Sequence, residues 1–297
     1  MTIVLKLEAM APPRRDLHDL NRRSWNEATK AHNSHKGDQA AFLRTGGSTL
    51  FPEELDLLGP LQGRRLVHLQ CNAGQDTLSL ARLGAHVTGV DISDEAITFA
   101  RQLSRETGIP AEFVRADIYD WFEVASSHNQ YFDLAFSSYG AICWLSDLEA
   151  WARGIASILA PGGAFVLVEF HPVAAMFDER LQLAYPYHHP EPLADGAVGD
   201  YVAVSREGLV PWGYQPGTTD FHNPEPGVQF LHGTADVITA LLDAGLALDV
   251  FREYDYSNGC RFFDGAVMDE QRRFHLPPGV PTFPQMYAVR ARRPSAP

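Results

Sequence analysis

The sequence predicts an α/β fold: a twisted, mostly parallel sheet of seven strands with helices on both faces. Three observations predict it. From about residue 64, short apolar runs alternate with helical segments. The connections between the first five runs are long enough for helices, which makes successive strands parallel. The run at 164–170 (AFVLVEF) is apolar enough for a strand buried on both faces.

The elements follow in order. Residues 16–34 read as a helix, with Asp16 as N-cap and Leu17, Leu20, Trp25 and Ala28 in partial apolar spacing. A glycine-bearing stretch at 44–48 follows, and a short helix begins near Pro52, where proline suits a first turn. Residues 65–70 form a strand, 76–83 a helix ended by Gly84, and 86–90 a second strand. Ser93 caps a helix to residue 107, with Gly108 beyond its end. Strands follow at 111–115 and 131–137, then a helix at 147–159 closed by Pro161, Gly162 and Gly163, then the buried strand. After a helix at 234–244, strands at 246–252 and 285–292 complete the seven.

Regularity fails in two places. From 171 to about 230 the chain has no period but is rich in proline, glycine, histidine and aromatics, and 254–281 is similar. Aromatic richness argues against disorder, so the first segment reads as a cap inserted into a domain spanning 61–297. Residues 1–60 read as an N-terminal helical lid.

Composition narrows the partners. The 297 residues hold 24 Lys+Arg and 37 Asp+Glu, a net charge of −13, which argues against a broadly basic nucleic-acid binder. An arginine pocket inside an acidic shell remains compatible with a small anionic substrate. Only Lys6, Lys30 and Lys36 are lysines. Cys71, Cys143 and Cys260 form no Cys-x-x-Cys pair, so neither a disulfide framework nor a structural zinc site is expected. The N-terminal apolar piece is too short for a leader, and no run approaches the 18 or so residues of a membrane span. The expectation is a cytoplasmic protein with a small-molecule substrate and no nucleic-acid or membrane partner. The two aromatic segments could also serve a homo-oligomer interface.

The chemistry sits in LVHLQCNAGQDT (66–77): strand, small-residue turn, helix start. Gly74 lets the backbone approach a ligand, and the helix start offers unpaired N–H groups. Asp91 ends the next strand about 20 residues on, where an acid accepts from both ribose hydroxyls. Asp117 closes the third strand in the same way. A single glycine of G-x-G-x-x-G is present, so a dinucleotide fingerprint is absent.

Together HLQCNAGQDT, VTGVDIS, RADIYD, FDLAFSSYGAICWL and LAPGGAFVLVEFHP, with QMYAVRAR as a closing antiparallel strand, resemble class I S-adenosylmethionine-dependent methyltransferases, especially bacterial members acting on small metabolites. The resemblance covers residues 64 to about 170 and implies a Rossmann-like sheet, S-adenosylmethionine as methyl donor and S-adenosylhomocysteine as product. It implies that the turn at Gln70, Asn72 and Gly74 approaches the methionine part, that Asp91 binds the ribose, and that Ile92 packs on adenine. Asp117 and Ile118 then reach the adenine edge, and the Ser137 backbone lies near the sulfonium. The chain departs from the family at His68, where an acid is usual, and at Gln70 and Asn72, where glycines are usual.

Candidate acceptor-site residues follow. Glu169 and His171 lie two apart, on one face at the end of a strand, and either could take a proton as a base; ion pairing and packing are their plain alternatives. Tyr139 follows the fourth strand, at a substrate-proximal place. Trp25, His32 and His35 belong to the lid, where ligand contact is weighed for each and Trp25 and His35 are taken as substrate-binding candidates; helix surface or core is their plain alternative. His188, His189, Trp212 and Tyr214 are expected to line a substrate pocket; adjacent histidines seldom share a metal, and none is expected. The reading is N- or O-methylation of a small metabolite. Its rivals are C-methylation of a prenyl diphosphate with an aromatic cap, a non-catalytic cofactor-binding regulator, and a nucleic-acid methyltransferase.

Overall fold

A computed structural model describes residues 13–189, 191–194 and 197–295. Residues 1–12, at the front of the expected lid, lie outside the described residues, as does the apolar piece weighed as a leader.

The helices are α1 (Arg15–Ser34), α2 (Gln39–Arg44), α3 (Pro52–Leu58), α4 (Gln75–Arg82), α5 (Asp94–Thr107), α6 (Ile118–Ser127), α7 (Leu148–Ile158), α8 (Tyr201–Ser205) and α9 (Thr234–Asp243). The strands are β1 (Arg65–Leu69), β2 (His86–Asp91), β3 (Glu112–Arg115), β4 (Phe132–Ser138), β5 (Leu159–Phe170), β6 (Ala247–Tyr254), β7 (Tyr256–Asn258), β8 (Val267–Met268), β9 (Arg273–His275) and β10 (Met286–Arg292).

Seven strands form one sheet in the order β3-β2-β1-β4-β5-β10-β6. β1 pairs in parallel with β2 and β4, and β10 runs antiparallel to both β5 and β6. The alternation of side chains along each strand divides the apolar residues between two layers. Val67 and Leu69 pack with Trp121, Trp151 and Ile155 of α6 and α7, while Leu66 packs with Leu57, Leu58 and Leu80 of α3 and α4. Strand order reverses between β1 and β4, and a ligand crevice forms outside the strand carboxyl ends at such a switch point.

Three helices, α2, α6 and the five-residue α8, have no counterpart in the sequence pattern described above. α6 begins at Asp117, whose side chain accepts from the Tyr119 amide at 3.0 Å, and it buries Trp121, Phe122 and Ala125. α2 is a six-residue helix capped by Asp38. α1 also differs in kind: Leu17 and Leu20 are only half-buried, and its most buried positions include His18, Asn21, Ser24 and His32. A polar inward face is held by hydrogen bonds rather than by apolar burial. Asn21 exchanges two bonds with the Val228 backbone (2.9 and 2.7 Å), and Ser24 accepts from the Val198 amide at 2.9 Å. Asp16 sits in the first turn, not at the cap, which is Arg14.

The 254–281 segment is not irregular throughout. It carries the three-stranded sheet β7-β9-β8. None of the described helices is long and apolar enough to cross a membrane.

Candidate active site

A cavity of about 420 Å³ opens at the carboxyl ends of β1, β2 and β4. Its walls come from the sheet ends, from α1, and from both segments outside the sheet.

At one end lies Asp91. Its two carboxylate oxygens accept from the backbone amides of Asn72 and Ser93, both at 2.8 Å. These bonds fix the carboxylate while leaving lone pairs for further donors. Burial lifts its pKa to about 6, against those backbone bonds. Ile92, Ala116 and Ile118 supply an apolar wall beside it. Asp117 lines the same end, but it is not free: His18 of α1 bonds it at 2.7 Å, and it caps α6. Burial works to raise the Asp117 pKa, but the bond to His18 and its positive neighbours outweigh it and hold the group below the ordinary value.

The glycine-poor turn is accommodated by strain. Gln70 and Asn72 adopt left-handed backbone conformations, with φ of 55° and 48°. Gln70 donates to the Ala141 carbonyl at 2.8 Å, while its side-chain oxygen is buried without a partner. Asn72 donates to the Tyr201 hydroxyl at 3.3 Å, joining the turn to α8. Gly74 is not on the cavity wall. A Cβ there would lie 2.7 Å from the Ala100 Cβ and 2.8 Å from Phe113, so this glycine permits packing rather than ligand approach.

The expected bases are occupied elsewhere. The buried Glu169 carboxylate accepts from the amides of Gly140, Ala141 (2.8 Å), Ile142 (2.9 Å) and Phe170 (2.6 Å). It therefore closes the loop after β4 and does not line the cavity. Burial raises its pKa, against these backbone bonds. His171 bonds Glu253 at 3.1 Å and accepts from the Val173 amide at 3.1 Å, again off the cavity. The β4 side chain on the wall is that of Ser138, next to the fully buried Ser137.

Tyr139, Trp25 and Trp212 do line the cavity. His35 and Tyr214 do not: they stack on each other at 5.1 Å, and His35 bonds Asp200 at 2.8 Å. His32 lies tilted against the cavity-lining Tyr201, with ring centres 4.1 Å apart, and does not itself line the cavity. His188 faces Asp236 of α9 at 3.7 Å and His189 bonds the Glu191 carbonyl at 2.6 Å; neither lines the cavity. Among the described residues no group of three or more His, Cys, Asp or Glu is placed for a metal ion.

The structure adds residues that the sequence pattern passes over. Asn258 ends β7 and is nearly fully buried on the cavity wall. Its amide nitrogen donates to Glu53 at 3.0 Å and to the Tyr139 hydroxyl at 2.9 Å, while its oxygen has no partner. Arg273 and the Tyr256 hydroxyl also bind Glu53, so the amide nitrogen is the atom that must face it. Lys36, Asp76 and Arg272 line the cavity as well, as does His68, whose imidazole burial holds neutral with a pKa of about 4. No local signal marks Lys36, Asn258 or Arg272.

Residues 67–163 match a family model described as a methyltransferase domain. Among curated relatives, a ubiquinone biosynthesis O-methyltransferase of a Methylobacterium species is 28% identical over 143 residues, covering 48% of this chain and 55% of the relative. One from Xanthomonas axonopodis is 31% identical over 115 residues, covering 39% and 46%. The chain thus spans about half the length of the curated relatives it matches. Among solved structures, geranyl diphosphate C-methyltransferase from Streptomyces coelicolor superposes with a TM-score of 0.55 at 13% identity, over 95% of this chain and 100% of that one. The CcbJ methyltransferase of Streptomyces caelestis gives 0.53 at 14%, over 93% and 99%. At such identities these likenesses concern the fold.

Proposed function

We propose, from the match of residues 67–163 to a methyltransferase-domain model, that the protein transfers a methyl group from S-adenosylmethionine to the nitrogen or oxygen of a small molecule. The observation that carries this is Asp91, held by two backbone amides on the cavity wall beside an apolar surface. The residues fit the cofactor: Asp91 suits ribose hydroxyls, Ile92 and Ile118 suit a purine, and the unpartnered Gln70 oxygen suits an ammonium donor. When bound, the cofactor supplies an electrophilic methyl carbon.

The chain's own residues hold and enclose. Proximity within a dry pocket is the main catalytic contribution. The Asn258 oxygen, aimed by the Glu53 network, suits an acceptor that donates an N–H or O–H. That observation favours N- or O-methylation over methylation of a prenyl diphosphate alkene, which has no such donor at carbon. With Glu169 and His171 engaged by other groups, a neutral amine or an easily ionised hydroxyl suits the site best. Residues 1–60 serve as the lid and 171–230 as the cap, in our reading, and the substrate is enclosed between them and β7.

Titration calorimetry with S-adenosylhomocysteine, followed by labelled methyl transfer to separate pools of amines, phenols and prenyl diphosphates, tests the reading. Binding in the micromolar range and label in the amine or phenol pool support it. No binding removes the cofactor assignment, and label only in the prenyl diphosphate pool removes the acceptor class.

A further inference from the structure

Lys36 follows α1 directly and lines the cavity with only 9% of its surface exposed. Its carbonyl is fixed by the Trp212 indole N–H. Its ammonium, by contrast, has no hydrogen bond and no carboxylate within ion-pair distance among the described residues. Burial lowers its pKa to about 8, and the more distant charges of Asp76 and Asp200 only partly compensate. Both acids have nearer partners: Asp76 bonds the Thr49 hydroxyl at 2.5 Å, and Asp200 bonds His35 at 2.8 Å.

Arg272 lines the same cavity. Its guanidinium donates to the Gly208 and Thr49 carbonyls (3.0 and 3.2 Å) and lies 4.2 Å from the Phe51 ring centre. It too feels the field of Asp76. Of the acids whose field reaches Lys36 or Arg272, only Asp76 is on the cavity wall, whereas the other end carries Asp91 and Asp117. The cavity therefore carries its carboxylates alone where a nucleoside fits, and its two cations, Lys36 and Arg272, at the other end. An unpaired buried ammonium is costly unless an anion completes it.

We propose that Lys36, with Arg272 adding to the field, is an oxyanion-binding subsite that takes a carboxylate or phosphate group carried by a molecule in the cavity. This rests on the methyltransferase reading for the identity of the occupants. Two sources have the required chemistry: the amino-acid end of the cofactor, and an acid group on the acceptor. A charge-assisted hydrogen bond of this kind is worth about 10- to 100-fold in affinity.

The test compares the parent with Lys36→Met and Lys36→Arg by calorimetry. The ligands are S-adenosylhomocysteine and 5′-methylthioadenosine, which keeps the nucleoside and thioether but lacks the carboxylate. If the cofactor is the source, Lys36→Met weakens S-adenosylhomocysteine about 10- to 100-fold, leaves methylthioadenosine within twofold, and Lys36→Arg restores most of the loss. If the acceptor is the source, S-adenosylhomocysteine is unaffected, and benzoate or inorganic phosphate binds the parent, free or cofactor-loaded, but not Lys36→Met. Neither pattern, in variants with unchanged melting temperature, overturns the subsite. A parent that binds no S-adenosylhomocysteine sinks the methyltransferase reading instead, and the anion titrations on free protein then decide the subsite alone.

Discussion

The Nδ1 atom of His18 and a carboxylate oxygen of Asp117 lie 2.7 Å apart, joining the N-terminal helix to the acid that follows β3. The other ring nitrogen reaches the Ser146 hydroxyl at 2.8 Å, so His18 pins α1 to two loops at once. Replacing His18 by alanine should cost about 1–3 kcal/mol, the price of a buried carboxylate left short of a partner. Because the folded pKa of Asp117 is depressed, its contribution is present above the unfolded value and is lost as pH falls through the folded one. The gap between parent and variant in denaturant titrations should therefore begin to narrow as pH falls to about 3.9 and go on closing below it. A gap independent of pH would show that the pair is not the cause.

Asp91 gives the opposite sign. Its folded pKa is raised to about 6, so its own contribution to stability is greatest below the unfolded value and disappears as pH rises through 6. Ligand binding runs the other way, since only the ionised form accepts from two hydroxyls. S-adenosylhomocysteine affinity should fall by up to about tenfold per unit below pH 6. Asp91→Ala should lose about 100-fold or more at pH 7.5, the worth of two charged hydrogen bonds. Calorimetry across pH 5–8 reads both effects, and a flat profile would count against Asp91 as the ribose acceptor.

Glu169→Gln tests whether that group is structural or chemical. The amide keeps one accepting oxygen and turns two N–H donors toward backbone N–H groups, so a loss of about 3–5 kcal/mol is expected. Thermal and chemical denaturation should show it. A variant with parental stability and lowered turnover would restore Glu169 as a base.

Gly74→Ala should destabilise by about 1–3 kcal/mol through overpacking, since φ is +81° and the new methyl meets Ala100 and Phe113. Wherever the variant remains folded, S-adenosylhomocysteine affinity should change little. A large loss of affinity at full stability would return Gly74 to the cavity wall.

Asn258→Leu should leave S-adenosylhomocysteine affinity within about twofold and raise KM for an N–H or O–H acceptor by about tenfold, one lost hydrogen bond to a buried oxygen. Steady-state kinetics on the acceptor found in the labelled-transfer experiment measures this. An unchanged KM would mean that the Asn258 oxygen does not face substrate.

The sheet and Asp91 were legible because their signals are local. A short apolar run, a cap such as Ser93 and an acid at the end of a strand all lie within short windows. The cavity's other end was not legible, because its contacts join distant parts of the chain: Arg272 meets Thr49 across 223 positions, and Asn258 meets Tyr139 across 119. Glu169 shows how a correct local placement misleads. It does stand at the end of β5, but the loop after β4 folds back and saturates it with backbone amides. α1 misleads in the other direction, because an apolar period hid a helix whose inward face is polar.

That polar face bears on timing. The helix over the cavity is fastened by individual hydrogen bonds, at His18, Asn21 and Ser24, rather than by an oily seam. Such bonds break and reform singly, with water replacing each partner at small net cost. Opening the cavity on its α1 side therefore means unfastening this row of bonds one at a time, so the give of that wall is a property of the helix, set by residues that need not touch the carbon that is transferred.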